Sequence, residues 1–144
     1  MKIETFKNMT IAYMRNTGEY GPNNEKLMDK FKEFLENNKL FNDKIIILGI
    51  ALDNPEITPK DNLRYDVGII LTKETVVNLP TRKIADGDYA IYDVEHTKKG
   101  ITDFWNSLPQ VVKELPIDNT KPIIERYSMQ KIKKNHCEFC IPLK

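Results

Sequence analysis

Arg64-Tyr65-Asp66-Val67-Gly68-Ile69-Ile70-Leu71 and His136-Cys137-Glu138-Phe139-Cys140-Ile141-Pro142-Leu143 are the two segments whose comparison decides the fold. Both read as strands that open on a basic side chain, carry an acidic one at the third position, and share Ile and Leu further on. The correspondence continues outward from them. Ile11-Ala12-Tyr13 matches Tyr89-Ala90-Ile91, and Leu27, Met28, Phe31, Phe34 and Leu35 match Phe104, Trp105, Leu108, Val111 and Val112. Chance can supply one matching segment but hardly three in order, and self-similarity of this kind is an architectural signal. The chain therefore reads as an α+β fold made of a tandem βαββ repeat.

Residues 2–7 and 9–17 look extended, and Gly18-Glu19-Tyr20-Gly21-Pro22 breaks the second of these strands. Asn23 or Asn24 is placed to cap a helix whose apolar stripe is Leu27, Phe31, Phe34 and Leu35, ending near Asn37-Asn38. The run from Ile45 to Leu52 is too β-branched for a helix and suits a strand covered on both faces. After the turn-rich loop 53–61 and the strand 64–71 comes a polar connector, 73–86, broken by Pro80. The second unit repeats the pattern, with a strand over 88–94 and a helical stripe from Ile101 to Leu115 that Pro109 should kink or split. The expected organisation is one domain over 1–144, with repeat 1 over about 1–72 and repeat 2 over about 87–144. Its two units are pseudo-twofold related, with antiparallel sheets, two helices on one side and a ligand groove on the other.

The 144 residues are enough for one domain with a proper core, and 40% of them are hydrophobic. The 22 basic and 21 acidic residues nearly cancel to +1, without the basic face of a nucleic-acid binder, so no direct nucleic-acid partner is expected. No signal-peptide pattern or bilayer-length apolar run occurs, which points to a cytoplasmic protein without a membrane partner. Free strand edges allow a homodimer or a protein partner, but no seam can be read from the pattern.

The candidate site lies in Lys121-Pro122-Ile123-Ile124-Glu125-Arg126-Tyr127-Ser128. Strand alternation puts Ile123, Glu125 and Tyr127 on one face. If that face lines a cavity, Glu125 is a lone negative charge on an apolar, aromatic floor, suited to a lipophilic cation or to a general acid with a raised pKa. If it is an edge strand, Glu125 points into water. Asp66 and Glu138 read as surface or turn-anchoring groups, with Arg64 spaced to pair with Asp66, and His96 and His136 as structural or exposed. Cys137 and Cys140 invite a zinc or redox reading. Their odd spacing in a strand puts the sulfurs on opposite faces, so buried structural thiols are expected, and no metal or cofactor.

Asp53-Asn54-Pro55 with Thr58-Pro59, Arg64-Tyr65-Asp66, Gly87-Asp88-Tyr89-Ala90 and Pro122-Ile123-Ile124-Glu125-Arg126-Tyr127 together resemble the GyrI-like domains. These are the effector-binding domains of AraC-type regulators and multidrug-sensing activators, also found as free-standing proteins such as the gyrase inhibitory protein. The resemblance implies a central groove for small, often cationic and aromatic ligands, and it carries the family's pocket glutamate onto Glu125. Tyr65 and Trp105 then become expected aromatic walls, with Tyr20, Tyr89 and Tyr127 as further candidates. The leading expectation is a small-molecule-binding protein selective for amphipathic cations. The alternative is a hydrolase of strained, DNA-alkylating natural products, using Glu125 with Tyr65 or Tyr127. A third is an interaction protein that acts on gyrase.

Overall fold

In the computed structural model, residues 1–73 and 75–144 are described. They form β1 (Lys2–Phe6), β2 (Thr10–Thr17), β3 (Ile46–Ala51), β4 (Arg64–Ile70), β5 (Thr81–Lys83), β6 (Gly87–Glu95), β7 (Ile124–Ser128) and β8 (His136–Pro142). The helices are α1 (Pro22–Asn37), α2 (Lys98–Glu114) and the short α3 (Met129–Lys133). The fold is α+β, as the alternating and helical periodicities require. All strands join one antiparallel sheet in the order β1-β6-β8-β7-β3-β4-β2-β5, where two sheets were expected. The halves meet where β3 pairs with β7, and the order β7-β8-β6 on one side of that seam parallels β3-β4-β2 on the other.

Two short links show that this sheet curls. β1 and β2 are six places apart in the sheet, about 29 Å if it were flat. Only the four steps from Phe6 to Thr10 join them, a reach of about 14 Å. Lys83 to Gly87 imposes the same limit on β5 and β6. The sheet must therefore bend until its ends approach, and Ile84 N–H donating to Met9 O at 2.9 Å ties the two links together.

Curling gives the sheet an inner and an outer face. Phe6, Ile11, Leu48, Ile50, Ile84, Tyr89, Ile91, Ile124 and Cys140 fill the inner face, and no helix residue joins this cluster among the described residues, so the sheet buries this face against itself. The outer face takes both long helices. Leu27, Phe31 and Leu35 of α1 pack on Ala12, Ile47, Val67 and Ile69, and Phe104 of α2 packs on Ala90, Phe139 and Ile141. Cys137 belongs to the outer cluster and Cys140 to the inner one. The two thiols are free, buried and on opposite faces, as their spacing requires.

Several local features differ from the sequence reading. α1 starts at Pro22 with Gly21 as its cap at φ 116°, and neither Asn23 nor Asn24 caps it. A proline costs nothing at a first-turn position whose N–H is unpaired anyway, and Asn23 Nδ2 donates instead to Glu19 O. α2 runs unbroken through Pro109, held by Phe104, Leu108 and Val111 packing on both sides of the proline. The connector 73–86 contributes β5, which pairs with β2, and α3 was not anticipated.

Asp66 and Glu138 are buried rather than surface groups. Asp66 accepts from Arg15 Nε at 2.7 Å and Arg82 Nε at 2.9 Å. Arg64 pairs with Asp53 instead, whose carboxylate also accepts the Arg64 backbone N–H, so one acid satisfies both donors. Arg126 bonds Glu138 Oε1 at 3.0 Å and grips Glu4 of β1 through two bonds, drawing the Glu4 carboxyl down to about 2.

Arg126→Ala leaves Glu138 buried without its cation, and it should lower unfolding free energy by about 3–5 kcal/mol in chemical denaturation. Acid titration offers a second check. Glu4 has a depressed pKa, so its contribution is complete above the ordinary value of 4.5 and fades as pH falls towards 2. Glu4→Gln should flatten the loss of stability across that window.

Candidate functional site

β7 alternates across the sheet, sending Ile124 and Arg126 to the inner face and Glu125 and Tyr127 to the outer one. Tyr127 Oη donates to Glu125 Oε2 at 2.5 Å, and Tyr65 Oη from β4 donates to the same oxygen at 3.3 Å. Between β7 and β4 lies β3, where Gly49 stands opposite Glu125. A Cβ on Gly49 would lie 2.4 Å from Tyr65 Oη and 3.3 Å from Glu125 Oε2. The glycine leaves the space through which a phenol crosses one strand to reach the carboxylate.

A cavity of about 580 Å³ opens above this cluster. Ile47, Tyr65, Glu125 and Tyr127 form its floor, and Met28 of α1, Ile101 of α2, Met129 and Ile132 of α3, Phe41 and His96 form its walls. It does not lie on a bare face opposite the helices, as expected, but on the helix side. The reason is steric. The curled sheet fills its inner face with its own side chains, while α1 rests mainly on β2 and β4 and α2 on β6, so the β3–β7 seam runs between the two long helices. A larger, more open groove of about 970 Å³ borders Lys39, Leu40, Ile45, Ile69, Ile70 and Thr72, and among the described residues that line it no ionisable group is buried.

The electrostatics of the floor set it apart. Glu125 is half-buried as a whole residue, with protein atoms crowding its carboxyl. This desolvation raises its pKa, and the two phenol hydrogen bonds pull the other way without cancelling it. Burial, reinforced by the adjacent carboxylate, raises the pKa of both Tyr65 and Tyr127. His96, whose ring lies 5.4 Å from that of Tyr127, has its pKa lowered by burial and then by the charge of Lys32. Among the described residues no lysine, arginine or histidine forms an ion pair with Glu125.

The family model for the GyrI-like small molecule binding domain matches residues 1–144. The chain belongs to the GyrI-like family. It is 40% identical over 145 residues to the Bacillus subtilis (strain 168) protein named SPbeta prophage-derived putative transcriptional regulator YosT, covering 98% of this chain and 97% of that one. Among solved structures, SAV2435 bound to tetraphenylphosphonium superposes with a TM-score of 0.65 at 14% identity, over 99% of this chain and 93% of the other. An integron cassette protein of Vibrio cholerae superposes with a TM-score of 0.58 at 17% identity, over 99% and 95%. At these identities the two structures share the fold.

Within this GyrI-like domain, three of the six residues singled out from sequence meet at the cavity floor: Glu125, Tyr127 and Tyr65. The other three lie elsewhere. Tyr89 is on the inner face, stacked on Phe6 at 4.2 Å, with its hydroxyl donated to Ala85 O and its pKa pushed up to about 12 by burial. Trp105 packs edge-on against Phe104 and Phe139, does not line the cavity, and stays 41% exposed. Tyr20 backs Tyr65 edge-on at 6.3 Å, its hydroxyl anchored to the Asp53 and Arg64 carbonyls.

Gly49, His96 and the α3 side chains escaped the sequence reading, as did the cavity-facing edge of α1 formed by Glu25, Met28, Asp29, Lys32 and Glu36. That edge had a signal, since its positions recur at helical spacing beside the apolar stripe. Gly49 was legible only as a break in side-chain size within an apolar run.

Gly49→Ala should displace Tyr65 from Glu125, cost about 1–3 kcal/mol through overpacking, and change the near-ultraviolet tyrosine signal. Unaltered stability and spectrum would mean that this close approach does not hold the pair.

Proposed function

We propose that the protein binds amphipathic, aromatic cations in the cavity over the β3–β7 seam, with Glu125 as the counter-charge at its floor. One observation carries this reading: a carboxylate held among apolar and aromatic side chains with two phenol donors and no cationic partner among the described residues. An ionised carboxyl in such surroundings costs several kcal/mol, and a ligand cation offsets that cost where a neutral or anionic ligand does not. The faces of Tyr65 and Tyr127 add about 0.5–2 kcal/mol for a cation within reach. Met28 and Met129 give the walls an adaptable, polarizable lining that suits ligands of varied shape.

The family description and the tetraphenylphosphonium in the SAV2435 structure support the same ligand class. The regulator named in the Bacillus relative supports a role in which occupancy of the cavity is the signal and a partner carries it to transcription. Binding is favoured over hydrolysis by the disposition of the phenols. Both donate to one oxygen of Glu125, and their raised pKa values make them reluctant proton donors to a leaving group.

Tetraphenylphosphonium at about 100 times its dissociation constant should stabilise the wild type by about 2.7 kcal/mol, a Tm rise of several degrees. Glu125→Gln should abolish that rise. Wild-type affinity should grow as pH rises through the elevated pKa of Glu125, because proton and cation compete for one carboxylate.

The ligand-free proteins supply a separate readout. A raised carboxyl pKa gives stability that is present below the ordinary value of 4.5 and lost as pH rises through the folded-state value. Ligand-free Glu125→Gln should therefore be at least as stable as wild type at neutral pH. A wild type that ignores cations, or a Gln variant that binds them equally well, removes Glu125 from the site.

A further inference from the structure

We infer that Oε1 of Glu125 is a hydrogen-bond acceptor for the ligand, so that the cavity prefers cations carrying an N–H, such as protonated tertiary amines, over quaternary ammonium ions of like shape. This rests on the reading of the cavity as a cation site and narrows the ligand class. The two oxygens of the carboxylate are treated differently. Tyr127 Oη donates to Oε2 at 2.5 Å and Tyr65 Oη to the same Oε2 at 3.3 Å. Together they fill the two lone-pair sites that one carboxylate oxygen offers. Among the described residues no side chain or backbone N–H donates to Oε1. Nor is Oε1 one of the unpartnered atoms sealed from solvent, so a donor that enters the cavity lined by Glu125 can reach it.

The phenols are held where they are. Tyr65 crosses β3 at Gly49, where a Cβ would stand 2.4 Å from its hydroxyl, and Tyr20 packs edge-on against it at 6.3 Å. The His96 ring lies 5.4 Å from that of Tyr127. With Oε2 fixed by two donors, the carboxylate is oriented before a ligand arrives, and little ordering is left for binding to do. An N–H cation then meets an acceptor already in place. Its charge-assisted bond to a carboxylate is shorter than a neutral hydrogen bond and about twice as strong. A quaternary cation draws the Coulomb attraction and the contact with the tyrosine faces, but an N–H cation of like shape draws these as well. The difference between the two therefore isolates the bond to Oε1.

The test is isothermal titration at neutral pH with cations built on one 2-naphthylmethyl group. The dimethylammonium and diethylammonium forms each carry an N–H, and the trimethylammonium form has none. The first two should bind wild type at least about fivefold more tightly than the third. The diethyl form is the bulkiest, so its margin separates the N–H from the fit of the methyl groups. In Glu125→Gln the amide oxygen takes the phenols and the amide N–H groups stand where Oε1 was, so all three should bind more weakly and the margins should vanish. Equal affinity of the dimethyl and trimethyl forms for wild type overturns the inference. So does a margin that survives in Glu125→Gln, or one that the diethyl form lacks. If no naphthylmethyl cation binds while tetraphenylphosphonium does, the inference falls and the cation site stands. If tetraphenylphosphonium also fails, both fall together.

Discussion

The antiparallel register between β3 and β7, which sets Gly49 opposite Glu125, is the constraint on which the site depends. It joins the two halves of the sheet into one, and it places the seam where neither long helix lies. Because position 49 has no side chain, Tyr65 can reach from β4 across β3 and share Glu125 Oε2 with Tyr127. A shift of one residue in this pairing would send Glu125 and Tyr127 to the inner face and Arg126 to the cavity. Fold and site are thus fixed by the same hydrogen-bond ladder.

The two faces of the sheet treat charge in opposite ways. Away from the cavity, each buried acid has its cations: Asp66 is held by Arg15 and Arg82, and Glu138 by Arg126, which also secures Glu4 of β1. The Tyr13 ring lies against both Arg15 and Arg82, with each guanidinium carbon within 5.4 Å of its centre. These pairs leave no charge unanswered. At the cavity floor the answer is withheld, and Glu125 has only neutral donors. Glu125, half-buried at the cavity floor, differs from Asp66 and Glu138 in having phenol donors and, among the described residues, no ion pair.

The floor and the walls of the cavity are built differently. Shape restraint comes from the floor, where backbone pairing and the Gly49 contact fix the tyrosines. The walls come from the five-residue α3, the loop carrying Phe41, and methionines with several rotatable bonds.

Much of this was legible in the sequence. Periodicity gave the strands β2, β3, β4, β6 and β8 and both long helices within a few residues, because side-chain alternation and helical stripes are local properties of the chain. Alternation also put Glu125 with Tyr127 on one face and the two cysteines on opposite faces. The partners of the charges were not legible, since Arg15, Arg82 and Glu4 reach their acids through strand neighbours far away in sequence. Nor was the side on which the cavity opens. That was decided when the short links 7–9 and 84–86 forced the sheet to curl, fill its inner face with its own side chains, and leave the β3–β7 strip between the two long helices. The chain's local chemistry determined which residues share a face; the closing of the sheet decided which of those faces a ligand can reach.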